Sequence, residues 1–189
     1  MSIESSQIVW PVSFVCTLVT ETRILPNSYS LNISILPIET APGGISIGYK
    51  KIKFFVEQCL HNSIFISDDN PILPALAETN NNLVIFPTEP YDLFVGHILY
   101  TKFLTISEKY FHIDMINIDS IVGDNICYNI ADTDSCGLKL EGEHWWNSDS
   151  THTGHGPVTG WGDLTDEPSP RFEPKIIKGG KKSDSWSIQ

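Results

Sequence analysis

Basic charge is the first thing this chain has little of: 12 Lys and Arg stand against 23 Asp and Glu, for a formal net charge of -11. Neutralising a phosphate backbone takes clustered cations, so nucleic acid is not an expected ligand. Cysteine is sparse as well. Cys16, Cys59, Cys127 and Cys136 form no C-x-x-C pair, which removes the spacing of a zinc or dithiol motif. Three of the four lie inside apolar runs, where a thiol behaves as a small hydrophobe. No apolar stretch approaches the roughly 18 residues of a membrane span. The opening Met-Ser-Ile-Glu-Ser-Ser has no basic n-region, so no signal peptide is expected and the expected compartment is the cytoplasm. H-E-x-x-H, P-loop and G-x-G-x-x-G patterns are all missing. The final absence is positional: aliphatic residues nearly vanish beyond Ala131, yet four of the five tryptophans fall there, at Trp145, Trp146, Trp161 and Trp186.

Up to about Ile130 the chain carries clear periodicity. Val12, Phe14, Cys16 and Leu18 alternate with Ser13, Val15 and Thr17, as do Leu31, Ile33 and Ile35 with Asn32 and Ser34. Both read as strands, and Leu25-Pro26-Asn27-Ser28 between them reads as the turn of an antiparallel pair. Tyr49, Ile52, Val56, Cys59 and Leu60 share one face of a helix expected over Tyr49 to Leu60. Lys50, Lys51 and Lys53 fall largely off that stripe and read as a solvated basic patch. Ser63 to Ser67 and Leu83 to Phe86 have the length and composition of buried strands. Thr88, as N-cap, and Pro90, in the first turn, are expected to open a second helix reaching about Leu104. Phe111 to Ile118 and Ile126 to Ile130 read as a closing hairpin around Ser120 to Asn125. Because Phe111, Ile113 and Met115 alternate while Ile116 and Ile118 take the other parity, a bulge or burial on both faces is expected.

The order β, β, α, β, β, α, β, β predicts an α+β domain over residues 1–131, a mostly antiparallel sheet with two packed helices. Residues 132–189 are expected to be an irregular extension without a core of its own, acidic and then basic. Eight acids face Lys139 alone between Asp132 and Glu167, whereas Arg171, Lys175, Lys178, Lys181 and Lys182 outnumber Glu173 and Asp184 afterwards.

The strings Ile66-Ser67-Asp68-Asp69-Asn70-Pro71, Phe86-Pro87-Thr88-Glu89-Pro90-Tyr91-Asp92, Ile118-Asp119-Ser120-Ile121-Val122-Gly123-Asp124-Asn125 and Arg171-Phe172-Glu173-Pro174-Lys175 resemble uncharacterised small accessory proteins of large tailed (T4-like) bacteriophages. The resemblance covers most of the chain. It implies a setting, an accessory protein inside an infected bacterium, and brings no family active site to transfer.

Several residues able to do chemistry are present, but their spacing fixes no site. Asp68 and Asp69 before Asn70 read as a turn more readily than as a hard-cation site. Asp114, Asp119 and Asp124 are not fixed together by their spacing. His97 reads as a half-buried helix histidine, and His61 suits the end of the first helix. His144, His152 and His155 are enough imidazoles for an open zinc site, but the Ser, Thr and Gly between them give no element to hold ligands in place, so neither metal nor cofactor is expected. Trp145, Trp146 and Trp161, with Asp149 and Asp163 beside them, have two uses open: aromatic anchors folding onto a protein partner, or rings laid back over the chain's own sheet and helices. The expectation is therefore a non-enzymatic binding protein that binds or inhibits a host or phage protein through this acidic extension. A structural or assembly component of a phage particle, self-associating, and a metal-dependent hydrolase are the alternatives.

Overall fold

The computed structural model describes residues 7–38, 44–79, 82–131 and 143–148, and the backbone of 154–155. Two long strands organise it. β1 (Ile8–Val19) and β2 (Ile24–Pro37) pair antiparallel from Ile8↔Ile35 to Val19↔Ile24. The reversal between them lies at Thr20–Arg23, closed by the Thr20 amide on the Arg23 carbonyl at 2.9 Å. That corrects the expected turn, because Leu25-Pro26-Asn27-Ser28 is strand. In an antiparallel ladder, alternate residues turn their main-chain groups to alternate neighbours. The Ser28 carbonyl accepts the Ile121 amide at 3.2 Å, so the even-numbered residues of β2 face away from β1. The missing N–H of Pro26 therefore faces a stretch beyond the end of the next strand's pairing, at Tyr29↔Ser120, and breaks no ladder bond.

The remaining elements are α1 (Gly44–Phe55), extended by a π turn over Val56–Leu60, β3 (Ser63–Ser67), the short α2 (Leu73–Ala77), β4 (Leu83–Phe86), α3 (Asp92–Ser107), β5 (Phe111–Ser120), β6 (Tyr128–Ile130), a 3-10 turn at Trp145–Asn147 and β7 (Gly154–His155). The sheet runs β6-β5-β2-β1-β3-β4-β7. Only β1/β3 and β3/β4 are parallel; the other neighbours are antiparallel, and the α+β class with two main helices holds. The second helix starts at Asp92 rather than at the Thr88 cap, since Tyr91 is still extended and its carbonyl takes the Val95 amide at 2.9 Å. Lys50 and Lys53 are exposed as expected, whereas Lys51 is buried, its Nζ donating to the Tyr110 hydroxyl at 3.0 Å.

One face of the sheet carries the core. Phe14, Cys16 and Leu18 of β1 and Tyr29, Leu31 and Ile33 of β2 pack with Phe55 of α1 and with Val95, Leu99 and Phe103 of α3. The phase change in β5 is a bulge: Ile113 pairs with Ile35 and Met115 with Ser34, leaving Asp114 as the extra residue. Ile113 and Ile116 thus both reach the core although three positions apart. α3 approaches the sheet at Gly96, where any Cβ would run into the Ile130 side chain and lie 2.8 Å from Cγ2 of Ile118. Over β1, β2 and β5 the opposite face is polar, with cross-strand rows Ser13, Ser30, Asp119 and Pro11, Asn32, Asn117. That is the pattern of an antiparallel sheet with one wet face. No helix among the described residues is long and apolar enough to cross a membrane.

Candidate interaction surface

Trp145 and Trp146, expected to anchor a partner, are placed on the chain's own core. Trp146 is 3% exposed and joins the core cluster, with Trp145 half-buried against it and the two rings 5.4 Å apart at 80°. Trp145 stacks on Phe55 at 6.2 Å, meets Phe86 edge-on at 6.1 Å and donates its Nε1–H to the Ile85 carbonyl at 2.8 Å. What holds the turn is Lys102, the only cation of α3 and 0% exposed. Its Nζ donates to the Trp145 carbonyl at 2.8 Å and to the Ser148 carbonyl, and lies 5.2 Å from the centre of the Phe55 ring. A buried ammonium is costly unless it is hydrogen-bonded, and these two carbonyls satisfy it. The Thr105 hydroxyl adds a bond to the Trp146 carbonyl at 3.3 Å. Residues 143–148 therefore belong to the packed body, and the boundary expected at Ala131 cuts through a core contact. Trp161, Asp149, Asp163 and His152 lie outside the described residues. His144 is exposed and stacks on Trp146 at 4.4 Å, while the backbone of His155 pairs with Leu83. Among the described residues no three His, Cys, Asp or Glu side chains are grouped to hold a metal ion.

The loop joining β5 to β6 was legible only as a turn. In the structure every amide from Ile121 to Ile126 is bonded. Ile121 donates to the Ser28 carbonyl at 3.2 Å, Val122 to Oδ1 of Asn27 at 3.0 Å and Gly123 to the Ser120 hydroxyl at 3.0 Å. Asp124, Asn125 and Ile126 donate to the carbonyls of Ile121, Ser120 and Gly123 at 3.2, 2.9 and 3.0 Å. Asp124 and Asn125 close the loop in the left-handed region, at φ 56° and 57°, a conformation Asn and Asp tolerate better than most side chains. Beneath it, the Ser120 hydroxyl donates to Asp92 Oδ2 at 2.7 Å in a buried contact that ties the loop to the first turn of α3. Gly123 is required there, because a Cβ would collide with Asp92 Oδ2.

The polarity of this loop is inverted. Its polar main chain is satisfied inward, while Ile121, Val122 and Ile126 are 64%, 41% and 56% exposed. Ile121 also borders a depression of about 550 Å³ whose lining includes Val15, Thr17, Pro26 and Asn62. The only sequence signal was three aliphatics around a Gly-Asp-Asn turn, where hydrophilic residues are usual.

Two buried thiols and one buried phenol of the body are muted. Burial, reinforced by the Asp92 charge, pushes the Cys16 thiol up to about 12. Burial does the same to Cys59, to about 12 against an opposing pull from Lys102. Tyr29 is raised well above its ordinary value, by burial first and then by the Asp92 charge. All three are protonated at neutral pH, and a thiol rather than a thiolate is a poor nucleophile. Asp68-Asp69-Asn70-Pro71 is a turn, its Asn70 Oδ1 accepting the Ile72 amide at 3.1 Å. Asp114 sits on the bulge, Asp119 on the polar face and Asp124 in the loop, three separate places. His97 is buried on α3, deeper than expected.

No protein-family model matches this chain, and no curated protein does. Among solved structures it is similar to an uncharacterised protein from Wolinella succinogenes, at 8% identity and a TM-score of 0.45, over 67% of this chain and 98% of that one. A likeness of that degree carries no assignment of function.

Proposed function

We propose that the protein is a non-enzymatic binding protein whose contact is the braced loop Ile121–Ile126 and the depression beside it, and that its partner is a host or phage protein in the cytoplasm of an infected bacterium. The observation that supports this is the inverted loop: six consecutive bonded amides hold three exposed aliphatics in one arrangement. Exposed apolar side chains gain nothing from water, and a rigid display lowers the ordering cost of association. The reading moves the contact away from Trp145 and Trp146, whose rings are already used by the core. The resemblance to phage accessory proteins supplies the setting. The test is affinity capture from phage-infected lysate with the full chain and with an Ile121→Asp/Ile126→Asp variant, followed by titration of the recovered partner. Loss of the same partner from a stably folded variant supports the loop; undiminished capture removes it as the contact.

A further inference from the structure

A second surface follows from the direction of the main-chain groups in β1. Asn62 donates its amide to the Val15 carbonyl at 2.8 Å, on the side where β3 pairs with Cys16 to Val19. By alternation, the carbonyls of Val9, Pro11 and Ser13 and the amides of Val9 and Ser13 face that same side. Upstream of Val15 no described residue pairs with them, and all three residues are exposed, Val9 at 57%. Among the described residues, that strand edge is thus half occupied by β3 and half vacant. Pro11 fits this geometry, since its missing N–H points to the vacant half and costs the β1–β2 ladder nothing. Alongside lies a groove of about 210 Å³ against α1 and its π turn, walled by Trp10, Val12, Tyr49 and Val56 and rimmed by the Lys53–Glu57 ion pair, with the Trp10 and Tyr49 rings 4.1 Å apart. This is smaller than the roughly 300–1,000 Å³ of small-molecule pockets and is on the scale of a single side chain.

We propose that the vacant edge of β1, Val9 to Ser13, accepts an extended segment of a different protein as an added strand, with one apolar side chain of that segment seated in the groove beside the contacting Trp10 and Tyr49 rings. The edge is continuous with the one β3 already uses, so an incoming strand extends an existing ladder. A second copy of β1 is the poorer occupant. In the symmetric antiparallel register that pairs Val9 with Ser13, Pro11 meets Pro11 and both central hydrogen bonds are lost. A foreign segment keeps an N–H opposite the Pro11 carbonyl.

The test pans a random dodecapeptide display library on the full chain and measures the selected peptides, once synthesised, by amide chemical-shift mapping and titration. Ser13→Pro is the decisive variant, because it deletes an outward N–H on an edge strand and touches no core contact. The expected result is shifts centred on Val9 to Ser13, binding weakened about tenfold by Ser13→Pro with thermal stability retained, and no change in Ile121→Asp/Ile126→Asp. Failure of the loop proposal and failure of this one are therefore separable. Peptides that bind Ser13→Pro undiminished, that map elsewhere, or that never enrich overturn the proposal. So does a concentration-dependent dimer abolished by Ser13→Pro, which would make a second copy the occupant.

Discussion

Replacing Trp146 by alanine asks whether the chain beyond Ala131 is part of the core. The indole is 3% exposed, in contact with Trp145 and His144, and its carbonyl is held from α3 by Thr105. Truncating a buried tryptophan costs about 3–5 kcal/mol, transfer and cavity together. Against a total stability of about 5–15 kcal/mol for a domain, that is a large fraction. At about 2–4 °C per kcal/mol for a chain of this size, the melting temperature should fall by about 6–20 °C. Urea unfolding followed by far-UV circular dichroism reads the change without relying on tryptophan emission. The control is Ile126→Ala, whose exposed side chain should move stability by no more than about 0.5 kcal/mol. A chain stopped after Ala131 should fare worse than Trp146→Ala. It removes both indoles and strands the Lys102 ammonium, whose hydrogen bonds to the two carbonyls are worth about 1.5–3 kcal/mol each. If Trp146→Ala loses less than about 1 kcal/mol, or the chain ending at Ala131 is as stable as the full one, the docked turn is an appendage and this reasoning fails.

Cys16 and Cys59, buried and raised to about 12, should resist alkylation of the native protein at pH 8 while exposed Cys127 is modified, as peptide mass mapping would show. The same two thiols set a pH dependence. Their folded pKa values lie above the ordinary value near 9, so the folded state holds their protons more tightly. Their contribution is complete below about pH 9 and declines as pH climbs toward about 12. Denaturation midpoints should accordingly fall across that window, and fall less in a Cys16→Ala/Cys59→Ala variant. Gly123→Ala should drive a methyl into Asp92 Oδ2 and cost about 1–3 kcal/mol, with faster amide exchange from Ile121 to Ile126. Ile121→Asp/Ile126→Asp should leave stability within about 0.5 kcal/mol of the parent while abolishing partner capture.

Much of the body was legible because burial and secondary structure share a period. Val12 to Leu18, Ser63 to Ser67 and Leu83 to Phe86 are strands where alternation or short apolar runs placed them. Even the bulge in β5 showed as a phase slip, read between Met115 and Ile116 and found slightly earlier, at Asp114. Pro26 misled because local turn chemistry cannot reveal which way a strand's N–H groups face. Thr88 misled because a capping residue is recognised by type, whereas the helix starts where Tyr91 leaves the extended region. Lys51 read as a surface residue and Lys102 drew no reading at all, because a lysine in isolation carries no sign of the Tyr110 hydroxyl, or of the Trp145 and Ser148 carbonyls, that satisfy it once buried.

By itself, the order of residues determined the α+β class, the two main helices, and the scarcity of cations and catalytic motifs, since composition and periodicity are properties of the chain read in one dimension. Where the indoles go was decided only in three dimensions. Lys102, Phe55, Phe86 and Trp145 come from four distant segments, and their mutual desolvation exists only once the sheet and α3 have brought them together. The same holds for the loop after β5, whose exposed aliphatics acquire meaning from the buried Asn27, Asp92 and Ser120 that fix it from beneath.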